Sequence, residues 1–163
     1  MSGLQRRHHA EALRHAQDLW DLGCRDDAMA ELDLLLPHLH PKSVTVDAEI
    51  VTTLATYCSE TGDPGRGLLL LSAVPLEGAR LTDSHLDCLA ARCECRAAIG
   101  DIEGARHDRA TIARCDPRYP ALVLADAAID AAEDPECAAW EGAALAPRPV
   151  AATAEHHPQQ RRH

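Results

Sequence analysis

Three cysteines within eight residues, "CLAARCEC" at 88–95, form the densest group of nucleophilic or metal-ligating side chains in the chain. On a helix Cys88 and Cys95 lie seven apart and share a face, while Cys93 points about 140° away from Cys88. Zinc needs ligands that converge tetrahedrally, usually from a Cys-x-x-Cys knuckle, and the segment offers no such knuckle. Cysteines of this kind serve more often as small core residues. Histidines form a second group: "HHAEALRH" gathers His8, His9 and His15, with His8 and His15 on one helical face, and "PHLHP" adds His38 and His40. Histidine titrates between about pH 5 and 8, but no His-Glu-x-x-His sequence and no partner carboxylate accompanies these. Solvated or weakly chelating side chains are the expectation.

A third candidate is "TGDPGRG" at 61–67, three glycines and a proline ahead of a leucine run. Bare N–H groups at a helix N-terminus attract anions. A phosphate loop also needs Lys followed by Ser or Thr, and both this stretch and "GDIEGARHD" lack them. The serines, Ser2, Ser43, Ser59, Ser72 and Ser84, include no Gly-x-Ser-x-Gly elbow. The residues therefore point to no catalytic group, no metal and no cofactor, and a non-enzyme is expected.

The elements that would carry these residues follow from composition and spacing. At 163 residues, 46% of them hydrophobic, the chain can form one domain with a buried core, but it has no Phe and only 2% aromatics. Leu, Ala, Val, Ile and Cys must build that core, which suits closely approaching helices. No apolar stretch reaches the roughly 18–20 residues of a membrane span, and the first residues lack the apolar region of a signal peptide. Seven cysteines, an odd number, argue for a reducing compartment; cytoplasmic localisation is expected. The net charge of −10 concentrates in the middle, where His15 to Pro147 hold 10 Lys and Arg against 24 Asp and Glu. Such a body repels nucleic acid and favours cationic or neutral partners.

Three segments align on their glycines: "LGCRDDAMAELDLLLP" (22–37), "TGDPGRGLLLLSAVP" (61–75) and "IGDIEGARHDRATIARCDP" (99–117). Gly23, Gly62 and Gly100 are 39 and 38 residues apart, and five residues after each comes Ala28, Gly67 or Ala105. Nine after come Leu32, Leu71 and Arg109, the last breaking the pattern; "EDPECAAWEGAALAP" (133–147) is a weaker fourth copy with Glu133 at the glycine position. Apolar residues before each turn recur at steps of three and four, as in Val51, Leu54, Ala55 and Cys58, or Leu86, Leu89, Cys93 and Ala97. "SVTVDAEIVTT" comes nearest to a strand, but its continuation favours helix. Asp63-Pro64 and Asp134-Pro135 read as N-caps followed by proline at the first helical position, and Ser84 with Asp87 reads as a capping box. The expected fold is all-α: about four antiparallel helix pairs stacked into a short α-solenoid. Small residues stand where paired helices come closest. Residues 1–8 form a lead-in, 9–146 the repeat domain, and 147–163 a disordered tail.

A helix, a glycine turn, a small residue five later and a large apolar residue nine later resemble the tetratricopeptide repeat. Pro117, seventeen after Gly100, and the ending "CDPRYP" match as well. The resemblance spans roughly residues 9 to 146, with a longer period than the family's 34 and with Leu19, Cys58 and Arg96 at its usual tyrosine position, like divergent bacterial members. It implies a right-handed solenoid whose first helices line a concave groove. Carried onto this chain, the peptide-binding positions would be Gln17, Trp20, Asp21, Glu49, Thr52, Thr56, Glu60, Asp87 and Glu94. Five of the nine are acidic and none is basic. The carboxylate clamp of the family's chaperone-binding members is missing, so the expected partner is a basic or polar protein or peptide segment.

A scaffold or adaptor without enzymatic activity is the leading expectation. Two others stand beside it: an accessory or atypical enzymatic protein of a bacterial biosynthetic pathway, holding a small molecule or precursor peptide in a pocket around Trp20 and Tyr57, and a regulatory or sensor protein acting with a transcription regulator. The apolar "CAAWEGAALA" would suit a homodimer contact.

Overall fold

Each glycine on which the three segments align ends a helix in the left-handed backbone region, Gly23 at φ 82°, Gly62 at φ 88° and Gly100 at φ 82°. The computed structural model describes residues 2–41, 45–76 and 81–134. Its helices are α1 (Gly3–Asp21), α2 (Arg25–Leu35), α3 (Thr45–Glu60), α4 (Pro64–Leu71), α5 (Asp83–Ala98), α6 (Ile102–Cys115) and α7 (Leu122–Glu133). A single 3-10 turn, Leu36–His38, prolongs α2. The described residues contain no strand. The fold is all-α, and "SVTVDAEIVTT" is helical from Thr45 onward. No helix among the described residues is long and apolar enough to cross a membrane.

The three turns are the same hydrogen-bonded object. Gly23, Gly62 and Gly100 donate their N–H to Trp20, Ser59 and Ala97 at 2.9, 3.1 and 3.0 Å, and the next residues, Cys24, Asp63 and Asp101, donate to Leu19, Cys58 and Arg96 at 2.9, 2.8 and 2.9 Å. This paired pattern satisfies the orphan carbonyls of a helix end and requires a left-handed residue, which glycine supplies without a Cβ penalty. The residue after the glycine also caps the next helix. Asp63 accepts from Arg66 N–H at 3.1 Å and Asp101 from Gly104 N–H at 3.0 Å. Cys24 holds the same place in the first turn but makes no side-chain cap. Cys24→Ser is therefore expected to stabilise the protein by about 0.5–1 kcal/mol, read as a higher urea midpoint with an unchanged slope.

The turns join α1 to α2, α3 to α4 and α5 to α6 as packed pairs, and the first helices of successive pairs touch in the order α1, α3, α5, α7. Ala28, Gly67 and Ala105, five past the glycines, are all buried at the contacts. The helices before the turns bury Leu13 and Ala16, then Val51, Leu54, Ala55 and Cys58, then Leu86, Leu89, Cys93 and Ala97, then Leu122, Ala125 and Ile129. Three core clusters result, one between the first two pairs, one running from α3 to the start of α7 and one between α5, α6 and α7.

The cysteines of α5 belong to that packing. Cys93 Sγ lies 3.3 Å from the Ala105 carbonyl oxygen, Cys95 Sγ lies 3.8 Å from that of Ala55, and Cys88 Sγ lies 2.8 Å from Thr52 Oγ1. Burial, first among the causes, pushes the Cys93 thiol up to about 12 and the Cys95 thiol up to about 11, and raises Cys88 too. Thiols so held stay protonated and unreactive.

Two details of the sequence reading are corrected. The start of α5 is capped two residues earlier than Ser84: Thr82 is the N-cap and its N–H donates to His85 Nδ1 at 3.2 Å, while Asp87 accepts from Tyr119 instead. Thr82 prevails because the helix begins at Asp83, one residue before Ser84. Glu133 is the last residue of α7 rather than the turn residue, with no left-handed backbone, since a side chain disfavours that conformation. The second helix of the fourth pair, the cap at Pro135, the apolar "CAAWEGAALA" and the tail 147–163 lie outside the described residues, as does residue 1 of the lead-in.

Candidate functional site

Side chains spaced four apart on one face of α3, namely Thr52, Thr56 and Glu60, look across at Asp87, Ala91, Glu94 and Ala98 of α5. The wall contributed by α7 is short: Leu124, Ala128, Ala131 and Ala132. Because alanine fills little space, the three helices leave an open cavity of about 850 Å³ between them. A smaller cavity of about 280 Å³ adjoins it toward α1, sharing Thr52 and Asp87 and adding Gln17 and Glu49. The two together form a groove across α1, α3, α5 and α7, with no Lys or Arg among the described residues lining them.

Seven of the nine positions derived from the repeat resemblance thus line the groove: Thr52, Thr56, Glu60, Asp87 and Glu94 in the larger part, Gln17 and Glu49 in the smaller. Trp20 and Asp21 lie outside both cavities. Trp20 stacks on Tyr57, ring centroids 3.7 Å apart and planes within 2°, and the Arg25 guanidinium sits 5.1 Å from the Trp20 ring centroid. The two rings occupy one another's faces, so the place where a ligand would sit between them is filled. Asp21 is exposed, and its charge adds to the burial that pushes the Tyr57 phenol up to about 12.

The chemistry of the groove is that of crowded carboxylates. Burial holds the Glu94 carboxyl above its ordinary 4.5, and the charge of Glu60 raises it further. Asp87 Oδ1 accepts the Tyr119 hydroxyl at 2.7 Å, which orients the carboxylate at the mouth. Burial, then this hydrogen bond and the neighbouring acids, drives the Tyr119 phenol far above its usual range, so it remains a donor. Thr52 Oγ1 donates to the Ala48 carbonyl at 2.8 Å. Ser59 and the α7 alanines were not among the sequence-derived positions; the alanine face of "LVLADAAIDAA" was the available signal.

Two buried charge clusters outside the groove also escaped the sequence reading. His9, expected to be solvated, is buried; its Nδ1 lies 2.8 Å from Asp47 Oδ1, and His40 N–H donates to Asp47 Oδ2 at 2.7 Å. His15, which is exposed, meets Glu31 Oε2 at 2.5 Å. Asp108, with no exposed surface, receives Arg92 Nε and Nη2 at 2.9 and 2.6 Å and Arg96 Nη1 at 2.9 Å. Spacing could not reveal these partners, because His9 and Asp47 are 38 residues apart and meet only through packing of α1 on α3. No protein-family model matches the chain, and no curated protein and no solved structure matches it.

Proposed function

We propose that the protein is a non-enzymatic binding module, a short tetratricopeptide-like stack of helix hairpins whose acidic groove receives a basic or polar protein or peptide segment. The observation that carries this reading is the pair Glu60 and Glu94, two carboxylates contributed by α3 and α5 to one open cavity, with Glu94 partly desolvated. A guanidinium or ammonium placed between them would relieve both the repulsion and the desolvation. The alanine wall of α7 suits the aliphatic stem of such a side chain. Binding energy of this kind is differential, because the free protein holds the carboxylates in an unfavourable arrangement that the ligand corrects.

The test is titration of an Arg/Lys-rich fluorescent peptide, with an acidic peptide of equal length as control. Glu60→Lys combined with Glu94→Lys is expected to weaken the basic peptide at least about tenfold; unchanged affinity would sink the proposal. Glu94→Gln separates stability from binding. The folded chain keeps the Glu94 proton to higher pH than the unfolded chain, so stability falls as pH rises above 4.5 through the raised value. Above that window the charge is a constant penalty, which glutamine removes. Glu94→Gln should therefore raise Tm at pH 7 while weakening the peptide, with the Tm difference closing toward pH 4.

The volume of about 850 Å³ also falls within the range of small-molecule sites. A cationic small molecule is the second reading, and competition of polyamines against the labelled peptide at low millimolar concentration would favour it.

A further inference from the structure

On the face of α5 opposite the groove, Leu89, Arg92 and Arg96 turn toward His107, Thr111 and Arg114 of α6 and enclose a second kind of cavity, of about 290 Å³. Its chemistry is the reverse of the groove's. Among the described residues, three guanidiniums and an imidazole line it and no carboxylate does, while Leu76 and Leu81 close one side. This cationic concentration stands in a chain of net charge −10.

Ion pairing within the fold explains only some of these cations. Asp108, buried beneath, explains Arg92 and Arg96, whose side chains are themselves 21% and 26% exposed. Arg92 uses Nε and Nη2 on Asp108, and Arg96 uses Nη1 on Asp108 and on the Gly104 carbonyl at 3.1 Å, with Nε 3.5 Å from Asp101. Arg92 Nη1 and Arg96 Nη2 make no hydrogen bond or ion pair with any described residue. Arg114 is explained by no acid: its Nη2 donates to Thr111 Oγ1 at 3.0 Å, and no carboxylate among the described residues lies within ion-pair distance of it. The Asp108 contacts fix two guanidinium planes in advance, and planar N–H forks match the oxygens of a phosphate or similar oxyanion.

We propose that this cavity is an oxyanion site, taking a phosphate-class group that is either free or carried on a small molecule. Arg92 and Arg96 form its preset wall, and Arg114, with Thr111 and His107, closes on the remaining oxygens. The leucines beside it would contact whatever carries the group.

The experiment is isothermal titration of the full chain with inorganic phosphate and, separately, with glycerol phosphate, in chloride buffers of matched ionic strength. Saturable binding beyond the chloride control is expected, weakened about tenfold by Arg114→Ala and partly kept by Arg114→Lys. Arg114 is exposed on the last turn of α6, so its truncation leaves the core intact; His107→Glu, also at an exposed position, should weaken the same anions. Groove-peptide affinity should stay unchanged in these variants, which separates this site from the groove. Glycerol phosphate binding more tightly than phosphate would assign the site to a carried group, and equal affinities to the free ion. No saturable phosphate or phosphate-ester binding, or equal affinity in wild type, Arg114→Ala and His107→Glu, would overturn the proposal.

Discussion

Asp108→Ala is expected to lower the free energy of unfolding by about 2–4 kcal/mol, the loss that follows when one partner of a buried charge network is deleted. The carboxylate has no exposed surface and accepts three hydrogen bonds from two guanidiniums. Removing it leaves Arg92 and Arg96 half-buried and like-charged on consecutive turns of α5. Their partial exposure lets water recover some of the loss, so the estimate sits below the upper end for fully buried pairs. Urea unfolding followed by circular dichroism checks it: the midpoint should fall with little change in slope. Replacing all three residues together by Leu and Met should cost far less than the single deletion, because an apolar cluster leaves no uncompensated charge. A triple variant as unstable as Asp108→Ala would show that the network itself, rather than the orphaned charges, holds α5 to α6.

Gly67→Leu is expected to cost about 3 kcal/mol or more by overpacking. A Cβ on Gly67 would stand 2.7 Å from Cys95 Sγ and 2.9 Å from the Ala55 carbonyl oxygen. The first of these atoms sits on a buried side chain of α5 and the second on the backbone of α3, so neither can yield without moving a helix. Gly67→Ala should be milder, since the helix propensity gained, about 1 kcal/mol, offsets part of the strain. Gly65 supplies the control. A Cβ there meets nothing nearer than 3.9 Å, so Gly65→Ala should stabilise α4 by about 0.5–1 kcal/mol. Thermal unfolding of the three variants should rank them Gly65→Ala, Gly67→Ala, Gly67→Leu from most to least stable. Any other order at Gly67 would mean that the two helices are less tightly apposed there.

The glycines of the hairpins were legible in the sequence. Gly62 and Gly67 are set by local demands, a left-handed turn and a helix crossing, and local demands repeat with the chain: Gly23 with Ala28 and Gly100 with Ala105 obey the same rule. Aligning three copies therefore exposed the hairpins and the buried stripes. Alignment failed where the residue type that enforces the rule was absent, as at Glu133, and where two residues two apart could equally cap a helix, as at Thr82 and Ser84. It was silent about Asp47 and Asp108. Asp47 has no acidic counterpart in the other copies, and the meaning of both acids depends on partners that only packing supplies. Trp20 illustrates the same limit from the other side: its helical position suggests the groove, but a neighbouring aromatic on α3 claims its face.

The shared use of Cys24, Asp63 and Asp101, each closing one helix with its N–H while opening the next, leaves those corners without a spare residue. One residue inserted there would rotate the second helix by about 100°, carrying Leu71 or Ile112 from the core to water. The corners thus keep the frame of the repeat, and length can drift only between one hairpin and the next. The spacings of 39 and 38 between equivalent glycines fit that division, since the step from glycine to small residue stays at five in all three. For anyone inserting a tag or a protease site, the tolerant seams are the segments joining hairpins.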